Sequence, residues 1–123
     1  MSLDQIHSGL ARASIIFSLL IGLYGLWLFV RKQGVGGNFL GVLAAGELLY
    51  VAQGIVGLTL LLTVPVRPAG WRWVHVLYGV VMVITLPGAF AYLRGRDTRR
   101  QALIYGLIGL FLAGVSLRAI GTA

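Results

Sequence analysis

The chain of 123 residues contains no cysteine. That excludes disulfides, thiolate metal centres and cysteine nucleophiles. Charge is scarce as well: 11% of residues are charged, where an average chain has about 25%. Only three residues are acidic, Asp4, Glu47 and Asp97, and they form no paired-carboxylate arrangement. No glycine-rich phosphate loop follows a strand and there is no nucleophile elbow. What the chain has instead is apolar surface, with 59% hydrophobic residues. So little charge cannot cover a soluble domain of this size, so lipid must act as the solvent. The formal charge of +7 would suggest nucleic acid in a soluble protein. Here the basic residues sit mainly at the ends of apolar runs, which reads as topology and lipid-headgroup contact, with no nucleic-acid partner.

A membrane-spanning helix needs roughly 20 mainly apolar residues, since the hydrocarbon core is about 30 Å thick and each residue rises about 1.5 Å. Four runs qualify, over residues 9–30, 39–63, 71–93 and 102–120. A backbone in lipid must satisfy its own hydrogen bonds, so the runs are helices. Short connections predict a single-domain, all-α, up-down-up-down transmembrane four-helix bundle. The first run begins too close to Met1 for a basic leader and no small-residue cleavage site follows it, which predicts a retained helix. Arg31, Lys32, Arg94, Arg96, Arg99 and Arg100 fall on one side, and Arg12, Arg67, Arg72 and Arg118 on the other. The positive-inside rule then places both termini outside the cytoplasm. Trp71 and Trp73 suit an interfacial belt on that outer side.

Polar residues inside such a bundle are functional candidates by default. His7 and His75 are the only histidines, and they open the first and third helices, diagonal partners in an up-down bundle. Two neutral imidazoles facing across a core are what six-coordinate haem iron needs. Alternatively each ring simply sits in interfacial water. His7 lies five residues further from Arg31 than His75 does from Arg94, an offset of about 7 Å along the axis. Arg12 and Arg118, on the same outer side, either pair with haem propionates or snorkel to headgroups. Glu47 either bonds a hydroxyl such as Tyr24 or Tyr105, or serves a proton or quinol site. Gln53 is a candidate for an interhelical hydrogen bond, and Gly54, Gly57, Gly106 and Gly109 for close approach of a helix or a flat ligand. A faint duplication relates the two hairpins, each starting with a histidine, turning at arginines and returning on a glycine-rich helix.

The stretch Gln53-Gly54-Ile55-Val56-Gly57-Leu58-Thr59-Leu60, followed by Pro65 and then Trp73-Val74-His75, resembles one four-helix bundle of the haem A synthase family. That family places such a helix just before one opening with a haem-ligand histidine. Asp4-Gln5-Ile6-His7 is similar to its acidic-x-x-His start, and the spacing between the two histidines is similar too. The resemblance implies His7 and His75 as axial metal ligands on the outer side; with haem b as the cofactor, Gln53, Gly54, Gly57, Arg12 and Arg118 are the further candidates to bind it. Departures are specific. The family joins two bundles in one chain, its acidic residue is usually glutamate where Asp4 stands, an arginine commonly stands where Ser8 is, and the outer-loop cysteine pair of some members is missing. These weaken the implication that the chain oxidises a haem methyl group and leave that of haem binding standing. No catalytic residue is assigned beyond Asp4 as a candidate.

The expectation is a bis-histidine haem b protein of a bacterial inner (plasma) membrane, engaged in electron transfer or related to haem A synthase as a single-bundle form, and forming a homodimer or part of a larger membrane complex. The alternatives are a non-catalytic accessory subunit docking through its glycine faces, or a small transporter using Glu47 and Gln53.

Overall fold

The structure, a computed structural model, describes residues 2–63 and 69–122. Four helices make up the fold: α1 (Leu3–Val30), α2 (Gly37–Thr63), α3 (Ala69–Leu93) and α4 (Arg99–Thr122). All four are long and apolar enough to cross a membrane, and no strand occurs among the described residues. The all-α four-helix bundle expected from hydropathy is therefore the fold. Pro65 and Arg67 lie outside the described residues, as do the side chains of Trp71 and Arg72.

Polar caps set the helix ends. α1 starts at Leu3 and not at Gly9 because Ser2 and Gln5 close a capping box. The Gln5 N–H donates to Ser2 Oγ at 3.2 Å and the Ser2 N–H donates to Gln5 Oε1 at 3.1 Å, satisfying donors that a helix start leaves free. α4 likewise starts before its apolar run, with the Ala102 N–H donating to the Thr98 carbonyl and the Thr98 hydroxyl to Gln101 Oε1.

The outer surface is apolar, with Ile16, Leu48 and Leu62 exposed by 68%, 72% and 76%. A coat of this kind is tolerated only against lipid. Inside, Ile21, Phe39, Tyr50, Tyr105 and Leu112 are almost fully buried. The two hairpin loops meet at one end of the bundle. The Val35 N–H donates to the Asp97 carbonyl at 2.8 Å, and Arg99 Nε donates to the Phe29 carbonyl with its guanidinium 4.0 Å above the Phe29 ring. Both basic loop clusters are thus gathered at one end.

Around the bundle α1 and α3 each pack on α2 and α4, which leaves α1 and α3 as the diagonal pair. The α1–α4 interface is the most extensive and α2–α3 the least. Across α1 and α2, Ser18 Oγ and Tyr50 Oη share a buried hydrogen bond of 2.5 Å. Interhelical bonds of this kind in membranes contribute about 0.6–2 kcal/mol. Tyr50→Phe should therefore lower stability by about 1 kcal/mol, measured by unfolding in mixed detergent micelles; an unchanged midpoint would show that Ser18 finds an equivalent partner.

Candidate functional site

His7 lies on the second turn of α1 and His75 near the start of α3, so an up-down bundle brings both to the end opposite the basic loops. Their ring centroids are 6.0 Å apart, with the planes at 73°. The offset of about 7 Å expected from residue counts does not separate the rings. Because His7 is further from the end of α1 than His75 is from the end of α3, the difference falls at the loop end, where the helices need not finish level. Neither ring simply projects into water. His7 Nδ1 is buried without a hydrogen-bond partner among the described residues, and His75 Nδ1 lies 3.0 Å from the Ala119 carbonyl oxygen. A carbonyl only accepts, so His75 Nδ1 carries the proton. In the neutral ring Nε2 then holds the lone pair, the tautomer a metal-ligating histidine adopts.

Two α2 residues hold His7 from the side. Gln53 Nε2 donates to the His7 carbonyl at 3.1 Å, tying the backbone of α1 to α2. One turn further on, Gly57 leaves room for the imidazole: a Cβ there would lie 3.1 Å from His7 Cε1. Gly54 faces elsewhere, with a Cβ position 3.3 Å from Val83 on α3. Gln53 and Gly57 thus join the histidines, while Gly54 serves the α2–α3 contact.

The chain matches no protein-family model, no curated protein and no solved structure.

The remaining candidates lie apart from the ring pair. Arg12 is exposed and lines a shallow pocket with Gln5, Ile6, Gly9 and Leu10; five residues on a helix turn it about 140° from His7. Arg118 is exposed on α4, next to the Ala119 that holds His75. Asp4 is exposed in the first turn of α1. Glu47 bonds neither tyrosine considered for it: its Oε1 and the Tyr105 hydroxyl are both buried without partners among the described residues, and Tyr24 packs its ring on Phe39 at 5.1 Å.

Sequence reasoning missed the Ala119 carbonyl and the Ser18–Tyr50 pair. A backbone acceptor leaves no trace in residue type. The hydroxyl pair could have been suspected from the few polar residues inside the first two spans.

Proposed function

We propose that this integral membrane protein binds haem b between His7 and His75 and transfers electrons. The observation that carries the reading is the 6.0 Å separation of the two rings. Imidazole–metal bonds are about 2.0 Å long, so two of them, with the distance from each ring centre to its nitrogen, come to slightly more than that separation, and the rings would part by only a few tenths of an ångström. Among the described residues no group of three or more His, Cys, Asp or Glu is placed to hold a bare ion. Two protein ligands suffice when a macrocycle supplies the other four.

His75 would offer Nε2, its proton held on Nδ1 by Ala119. His7 would bind from the α1 side, its backbone fixed by Gln53 and its ring seated on Gly57. Haem held by two histidines supplies reversible one-electron exchange at an iron with no open position. Arg118 and Arg12 would reach propionates only from the rim, as exposed side chains. We place it in a bacterial inner membrane, and the charge asymmetry supports an orientation with the hairpin loops in the cytoplasm and both termini outside. A homodimer would bring together the two bundles that the haem A synthase family joins in one chain.

The test is the absorbance spectrum of the purified protein, oxidised and reduced. A sharp Soret band with resolved α and β bands on reduction is expected; a colourless protein that takes up no added haem would end the proposal and favour the accessory-subunit reading. Gly57→Ala should weaken haem retention about tenfold, the low end for changes to groups that hold a metal ligand in place, because the methyl group displaces the His7 ring. Haem titration checks it, and an unchanged affinity would separate Gly57 from the site.

A further inference from the structure

Glu47 is the only charged residue in the central parts of the four spans. Residues 13–30, 37–63, 73–93 and 101–117 contain no other, and so no cation for it to pair with. Its Oε1 is buried and unpartnered among the described residues. The titratable side chains packed on or in the core from the other helices are tyrosines, Tyr24 of α1, Tyr78 of α3 and Tyr105 of α4. A carboxylate without a cation in this setting is unfavourable, so burial works against the charged form.

Glu47 also does not stand alone. On α2 it is followed at intervals of three by Tyr50 and Gln53, about 4.5 Å of rise each, which lie about 60° and 120° around the helix from it, so that the polar positions wind around α2 as they rise. Tyr50 bonds Ser18, Gln53 bonds the His7 carbonyl, and His7 packs on Gly57. Along this line Glu47 Oε1, Gln53 Oε1 and His7 Nδ1 have no hydrogen-bond partner among the described residues. Buried polar atoms are normally paired, and where protein supplies no partner internal water does. Towards the basic loops the same side of α2 becomes apolar, with Leu43 and Phe39 buried. The polar line therefore opens towards the histidines and closes towards the loops.

We propose that Glu47 is a proton-storing carboxylic acid, connected to the histidine site by a water file that runs past Tyr50–Ser18 and Gln53. When negative charge is added at the histidines, a proton passes from the carboxyl along the water file to that end and leaves the carboxylate behind; it returns by the same path when the charge is removed. The proposal rests on the histidine pair being the functional site, and its test does not require haem. Infrared spectra of the purified protein in phosphatidylcholine vesicles at neutral pH should show a protonated-carboxyl band that disappears in Glu47→Gln. The band should shift promptly on transfer to deuterated buffer. In Tyr50→Phe and in Gln53→Leu it should persist and exchange about tenfold or more slowly. A spectrum with no band removed by Glu47→Gln overturns the protonated state. Exchange as fast in both relay variants as in the unaltered protein overturns the path. A colourless protein that passes these tests would lose its haem assignment and keep its proton site.

Discussion

Gly25→Ala should destabilise the bundle by about 3 kcal/mol, the upper part of the range for overpacking a close interface. A methyl group on Gly25 would sit 2.6 Å from the Gly106 Cα and 2.7 Å from both the Ala102 oxygen and the Gly106 nitrogen. All three are backbone atoms of α4, so no side chain can rotate away and the helices themselves must part. The same holds in register one turn away, where a Cβ on Gly109 would meet the Gly22 nitrogen at 2.6 Å. Between membrane helices there is no hydrophobic drive to compensate; close backbone approach and van der Waals contact hold the interface together. Gly114→Ala, on α4 with open space around its Cβ position, is the control and should be neutral or slightly stabilising through helix propensity. Unfolding in mixed micelles reads both. Equal stabilities would mean that the α1–α4 contact does not hold the fold together.

That interface also shows what the sequence could and could not convey. The four spans are legible because lipid demands long apolar runs, and only their ends move, to Leu3 and Arg99, where polar caps start a helix before the hydrocarbon does. Gly106 and Gly109 were visible as a face of α4, but Gly22 and Gly25, which they meet, were lost among many apolar residues. Pairing of two glycine faces depends on register, and a single sequence does not encode register. The histidines were legible as a diagonal pair, yet their level was not, because counting residues to an arginine assumes that helices finish level. Gln53 was expected to reach a neighbouring helix and donates to the His7 carbonyl. Glu47 went the other way: two tyrosines were natural partners by composition, and neither Oε1 nor the Tyr105 hydroxyl has a partner among the described residues.

His7→Ala and His75→Ala should each weaken haem binding by about a hundredfold or more, exceeding what loss of a group that merely orients a ligand does. Each should also convert a six-coordinate, low-spin spectrum into a five-coordinate, high-spin one. Both rings also make packing contacts, so helical content is measured alongside and separates loss of a ligand from loss of the fold. The alanine leaves space beside the remaining histidine, and added imidazole should restore the low-spin bands in both. His7→Met gives a second, independent reading. A thioether can still ligate iron, and Met/His ligation raises the potential relative to two histidines, so this variant should stay six-coordinate and shift its midpoint upward. The variant at His75 tests more than a ligand, since the Ala119 carbonyl holds that ring in a fixed tautomer; His75→Met has no group for Ala119 to accept from and should bind haem less tightly than His7→Met. If both alanine variants kept the unaltered spectrum, the ligands would lie elsewhere, and the 6.0 Å ring contact would be packing between two helices and nothing more.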